Sequence, residues 1–410
     1  MTQLSSGKKL TYSLVLLAVL WLLVELACLG GLWALQKYKG LSYTPALVRT
    51  LEPKHRGSLE AHLADTSSYM VFDPLLGWTI RPHGSKTKYR ANSEGIRGDR
   101  EYAPRPAAGV LRIAAFGDSF THATGVPNGF TWEDHLERLL PGVEVMNGGV
   151  PAYGLDQAFL RYQELGVRHH PNIVFLGFMS ENINRGVNTF RPFYFPQSGM
   201  PFAKPRFAVR GNDLILLPNP MASLEAYREL LHDPETVLPR LGEHDFYYRR
   251  SSDRSRLDFL PSVRFAHVIG NQYLHQPTLK GGVYNTDSEA YRVAVRTFDE
   301  FHRTALANGS VPVVVLFPDR RDIRARREGR PVSYGPLRAE LEKTGYRVLD
   351  LMDGFDRYDP QGKLLKRNFI HYPKDGNRMV AKYVRDYLAQ EKLDKAEGVR
   401  AALSAKRATK

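Results

Sequence analysis

Phe116-Gly117-Asp118-Ser119-Phe120 follows directly on an apolar run, Val-Leu-Arg-Ile-Ala-Ala-Phe, at 110–116. Such a run reads as a buried strand. A strand that ends in Gly-Asp-Ser sets a hydroxyl on a sharp turn at the carboxyl edge of a sheet, which is where open α/β sheets build their sites. Ser119 is therefore the candidate nucleophile. The same residues also suit a plain turn that uses Gly and Ser for backbone reasons, so the reading depends on partners elsewhere in the chain.

Working outward, strand and helix alternate. The patterning predicts a helix over 132–140 and a strand over 143–146 leading to Asn147-Gly148-Gly149-Val150-Pro151-Ala152-Tyr153-Gly154. A helix over 155–166 follows, then a strand over 173–178 ending at Ser180-Glu181-Asn182. Alternation resumes with a helix at 288–308, a strand at 311–317, a helix at 335–344 and a strand at 347–351. A final helix at 377–390 follows His371. This order predicts a parallel sheet with helices on both faces. The interruption at about 187–287 is too long for a structureless loop and reads as an inserted cap, with a helix over 223–232 inside it. Its aromatics beside arginine, as in His244-Asp-Phe-Tyr-Tyr-Arg-Arg250, suit stacking on sugar rings and equally suit a small core.

The remaining divisions are a segment 1–36, a turn-rich lead-in at 37–108 packed on the main domain, the main domain at 109–392 and a basic tail at 393–410 that is expected to fray. Residues 12–35 are almost unbroken Leu, Val, Ala and Trp, long enough to cross a bilayer as a helix. Bulky Trp33 near its end and the length of the run favour an uncleaved anchor over a signal peptide. Lysines flank both ends, so charge does not decide orientation. The reading places the protein in a bacterial inner membrane as a single-pass chain with its main domain periplasmic or otherwise extracytoplasmic. Glu25 inside the span either meets a partner helix or is a tolerated charge near one end.

At 410 residues, 43% hydrophobic and 24% charged, the chain can hold a full core. The net charge of +14 is scattered over the sequence, without nucleic-acid motifs, and reads as solvated surface. The single cysteine, Cys28, excludes an intramolecular disulfide and a cysteine metal site. No metal, cofactor or nucleotide is implied, since ligand spacing and phosphate-loop glycines are missing.

Serine needs a base to take its proton. Of the 13 histidines, His371 sits in the loop after the last strand, on the same sheet edge as Ser119. Acyl transfer also needs donors for an oxyanion. The glycine-rich turn 147–154, the Ser119 N–H and the Asn182 carboxamide offer them at that edge.

These blocks together resemble the SGNH/GDSL hydrolase superfamily, in its membrane-anchored bacterial, polysaccharide-associated type. The resemblance runs from about Asp73 to Leu388 and is weakest in the insertion. It implies a flavodoxin-like, three-layer, doubly wound α/β fold. It also implies that Gly117-Asp118-Ser119-Phe120 supplies the nucleophile, that Asn147 is the second block's asparagine, and that Ala152 falls on the oxyanion glycine, with Gly149 beside it. Asn182 keeps the third block's asparagine, where Ser180 replaces the family's glycine. Asn368-Phe369-Ile370-His371 stands where the family has Asp-x-x-His.

The catalytic set so implied is Ser119, His371 and Asn368, with an oxyanion hole from Ser119, Ala152 and Asn182. Ala152 is benign only where that residue needs no positive φ. Asn368 cannot supply the charge with which the aspartate stabilises the imidazolium. Three readings stay open: a Ser–His dyad, a substitute carboxylate such as Asp350 or Asp353, or an impaired site. The implied activity is a serine esterase or O-acyltransferase acting on acylated carbohydrate or another ester, with polysaccharide-assembly proteins as partners. The alternative is a glycan-binding or assembly component of an envelope complex.

Overall fold

Five parallel strands form the central sheet: β1 (Leu111–Phe116), β2 (Val143–Asn147), β3 (Ile173–Met179), β4 (Val311–Phe317) and β5 (Val348–Asp350), in the spatial order β5-β4-β3-β1-β2. This is the flavodoxin-like order of a doubly wound sheet. The computed structural model describes residues 5–39, 43, 50–65, 69–195, 198–251, 256–270, 278–364, 366 and 369–407. Beyond the sheet, the helices used below are α1 (Ser6–Lys39), α2 (Trp132–Leu139), α3 (Leu155–Arg161), α4 (Pro261–Ile269), α5 (Glu289–Ala307), α6 (Gly335–Lys343), α7 (Leu351–Tyr358), α8 (Lys374–Gln390) and α9 (Ala396–Arg407).

Strands β1, β3 and β4 are buried along their whole length because both faces are covered, and Arg112 is the one charged residue among them. Alternate residues enter two separate cores. Ala114, Phe116, Val174, Leu176, Phe178, Val314 and Leu316 join α3, α5 and α6 on one face. Leu111, Ile113, Ala115, Ile173, Phe175, Val313 and Val315 join α2, α7 and α8 on the other. The helix expected over 155–166 is α-helical to Arg161 and continues as a π turn over Tyr162–Gly166. Gly166 has no side chain there because the ring of Phe116 lies 2.6 Å from where a Cβ would stand.

The stretch 187–287 contains an antiparallel hairpin (Arg206–Arg210 with Asp213–Leu217) and short helices, among them Leu224–His232 capped by Ser223. Its aromatics Phe190, Phe193, Phe202, Phe207, Tyr227 and Tyr248 are buried in the first core. The lead-in is clamped to the turn after β2. Trp78 Nε1 donates to Pro151 O at 3.0 Å, Tyr153 Oη donates to Trp78 O at 2.7 Å, and Gln157 Nε2 donates to Leu76 O at 2.6 Å.

The tail departs from the expectation of fraying. Residues 396–407 form α9, and Leu393 and Val399 are buried in the second core. Two such side chains contribute on the order of 1.5–3 kcal/mol each and tie the segment to the core. The signal was weak because Leu393, Val399 and Leu403 are the only large apolar residues in a stretch dominated by Ala, Lys and Arg.

Candidate active site

In this strand order the chain leaves β1 toward β2 and returns on the other side to β3. The switch point of the sheet therefore lies between β1 and β3. Ser119 follows β1 and Asn182 follows β3, so both stand at that crevice.

The turn that carries Ser119 is tied down locally. Asp118 Oδ1 accepts from Phe120 N at 2.8 Å, His122 N donates to Asp118 O at 2.8 Å, and Thr124 N donates to Ser119 O at 3.0 Å. The turn after β2 runs alongside, with Val150 N donating to Gly117 O at 3.0 Å. That approach requires glycine at 149, because a Cβ would overlap the backbone nitrogen of His122. Asn147 braces the same turn through Oδ1, which accepts from Gly149 N at 3.2 Å.

His371 Nε2 lies 2.8 Å from Ser119 Oγ, although 252 residues separate them. Its loop is held from behind. Asn377 Nδ2 donates to Tyr372 O at 2.8 Å, Tyr372 Oη donates to Pro318 O at 2.6 Å, and Phe120 packs against both the His371 and Tyr372 rings. Gly125 lets the Ser119 loop close on this segment, since a Cβ there would come within 2.6 Å of Tyr372 O. Burial, then the Arg185 cation, push the His371 pKa down to about 4. The ring is therefore neutral at pH 7 and free to accept the serine proton.

Three donors at this edge are without partners among the described residues: the Ser119 N–H, the Ala152 N–H and the Asn182 carboxamide. Asn182 lies beside Asp118 without a hydrogen bond of ordinary geometry. Ala152 has φ +70°, a left-handed conformation. The condition under which alanine would be benign there is not met, and the residue carries strain that glycine would not.

Asn368 lies outside the described residues. Among those described, nothing accepts from His371 Nδ1. Asp350 and Asp353 do not fill that role. The Asp350 carboxylate takes Tyr334 Oη and Arg338 Nη1, both at 2.8 Å, and caps α7 through Met352 N. Asp353 pairs with Arg338 at 3.1 Å. Asp118 is likewise committed, to Phe120 N and to Arg185 Nη1 at 3.2 Å. Among the described residues no group of three or more His, Cys, Asp or Glu stands close enough to hold a metal.

Sequence reasoning gave no role to Arg185, the central charge beneath the site. It donates to Tyr153 O at 2.6 Å, to Asp118 and to Glu181. Burial opposes its charge, and the Glu181 and Asp118 carboxylates outweigh that cost and keep it cationic. Burial in turn raises the Asp118 pKa, with Arg185 opposing. The only trace in sequence is the i,i+4 pair Glu181/Arg185 at the exit of β3.

Among the solved structures similar to this chain are two described as lipolytic proteins of the G-D-S-L family. One, a member of the lipolytic protein G-D-S-L family from Veillonella parvula DSM 2008, aligns at 11% identity and TM-score 0.34 over 68% of this chain and 97% of its own. The other, a putative lipolytic protein of that family from Desulfitobacterium hafniense DCB-2, aligns at 13% identity and TM-score 0.33, over 68% and 99%. No protein-family model and no curated protein matches the chain. The fold assignment accordingly rests on the chain's own strand order.

Proposed function

We propose that the protein is a membrane-anchored serine esterase or O-acyltransferase of the SGNH/GDSL type, acting on acyl esters of an exported polysaccharide. The observation that carries this is the 2.8 Å contact between Ser119 Oγ and a neutral His371 at the switch point of the sheet. His371 takes the Ser119 proton as Oγ attacks the acyl carbonyl. The oxyanion then meets the unpartnered N–H groups of Ser119 and Ala152 and the Asn182 carboxamide. Collapse returns the proton to the leaving sugar oxygen and leaves an acyl-serine. Water completes hydrolysis, and a second sugar hydroxyl completes transfer. The anchor is α1, a helix whose residues Gly7–Tyr38 are long and apolar enough to cross a membrane.

Turnover of p-nitrophenyl acetate by the detergent-solubilised full chain tests this, beside Ser119→Ala and His371→Ala. Both variants should lose nearly all activity. Equal rates in all three proteins would reject the reading.

A second reading, an impaired site in a glycan-binding or envelope-assembly protein, rests on Asn368 standing where the resemblance implies an aspartate. Asn368→Asp separates the two. On the esterase reading it raises an existing rate, by up to about 10⁴-fold. On the impaired reading there is no Ser119-dependent rate before the change.

A further inference from the structure

Glu25, the one charged residue within the apolar run of α1, is bonded to a second helix. Its carboxylate accepts from Ser262 N at 2.8 Å and from Ser262 Oγ at 2.6 Å. Ser262 is the second residue of α4, so Glu25 satisfies one of the N–H groups that a helix start leaves free. It is 8% exposed, whereas its apolar neighbours on α1 are about half exposed.

The contacts also fix direction. Glu25 meets Ser262, and Gly31 meets Phe265, whose ring lies 2.7 Å from where a Cβ would stand. Further on, the Tyr43 ring, beyond the end of α1, lies 6.0 Å from that of His267 at a tilt of 46°. The two helices therefore run side by side in the same sense. The start of α4 lies deep along α1, and its end lies at the exit.

The exit is marked by Trp33 and Tyr38, in edge-to-face contact and with Lys37 over both rings. Aromatic residues of this kind sit at the headgroup level. At 1.5 Å per residue, Glu25 lies about 12 Å below Trp33. The residues that lead into α4 at that depth are Leu257 and Phe259, which are 51% and 70% exposed.

We propose that Leu257 to Ile269 is a second membrane-embedded element, dipping into the acyl chains beside the anchor, with Leu257 and Phe259 facing lipid. This rests on the reading of α1 as a retained anchor. In lipid, the Glu25 carboxylate and the free N–H groups of a helix start are each costly alone, and here each satisfies the other. The polar side chains of the element meet groups within it: Arg264 Nη2 donates to Phe259 O at 3.4 Å, and His267 Nε2 faces Asp258 Oδ1 at 3.9 Å. The bilayer is the occupant of the apolar face because that face is continuous with α1.

The test uses the full chain in nanodiscs, in a Cys28→Ser background, with an environment-sensitive nitrobenzoxadiazole probe at one introduced cysteine. The sites are Leu16→Cys on α1, Phe259→Cys, and Leu216→Cys on the distant hairpin, where the native residue is also exposed. The quencher is a lipid with a nitroxide midway along its acyl chain. Quenching at 16 and 259 with none at 216 is the expected result. Adding Glu25→Ala should release the probe at 259 and red-shift it. Quenching at 16 with position 259 no more quenched than 216 overturns this inference and leaves the anchor standing. Loss of quenching at 16 as well overturns both.

Discussion

The depressed pKa of His371 gives the account a pH signature. Protonation of His371 removes the base, so the rate follows its neutral fraction. With a pKa of about 4, the base is about 97% neutral at about pH 5.5, whereas a histidine near 6.5 is about 10% neutral there. An acid limb of kcat/KM centred near 4 is therefore expected, with an approximately tenfold advantage over an ordinary histidine at about pH 5.5. The same shift acts on stability. The folded pKa lies below the unfolded value of 6.5, so the unfolded chain binds the proton first. Stability falls as pH drops from about 6.5 toward 4 and levels off below that. The full shift corresponds to about 3 kcal/mol, and partial exposure of the ring reduces the realised share to about 1–2 kcal/mol. The assays are initial rates on p-nitrophenyl acetate from pH 4 to 8 and urea titrations over the same range, each paired with His371→Ala. A limb centred near 6.5, or a stability profile that His371→Ala leaves unchanged, would refute the argument.

Three further substitutions follow from the geometry. Ala152→Gly removes the penalty of a left-handed alanine, about 1–2 kcal/mol, against a lower entropy cost for fixing alanine. Urea denaturation should show a net gain of up to about 1 kcal/mol, and a loss would mean that φ is not +70° in solution. Asn182→Ala should lower kcat by about 10²–10³ with little change in KM, and an unchanged kcat would remove the carboxamide from the oxyanion site. Arg185→Met strands the carboxylates of Asp118 and Glu181 in the interior, and should cost about 3–5 kcal/mol by denaturant midpoint.

The sheet and the site were legible in the sequence for one reason. Strands buried on both faces leave unbroken apolar runs, and the residues that follow each run fall on one edge. Ser119, Asn182 and His371 stand in the loops that follow such runs or precede the last helix, whereas Ala152 was singled out only by the family resemblance. What escaped depends on partners remote in sequence. Arg185 acquires its place from Asp118, which is 67 residues away. The positive φ of Ala152 is imposed by packing and leaves no mark on an alanine. Glu25 was recognised as costly in lipid, but its partner Ser262 is 237 residues away, in a short helix that begins with proline inside the insertion. The aromatics of that insertion suited two readings, and burial distinguishes them only after folding.

The most direct test of the central claim is intact-mass analysis of the full chain after treatment with a fluorophosphonate, followed by peptide mapping. The account predicts a single adduct on Ser119, absent in Ser119→Ala and much slower to form in His371→Ala. No adduct on the native chain, or the same adduct in Ser119→Ala, would contradict it.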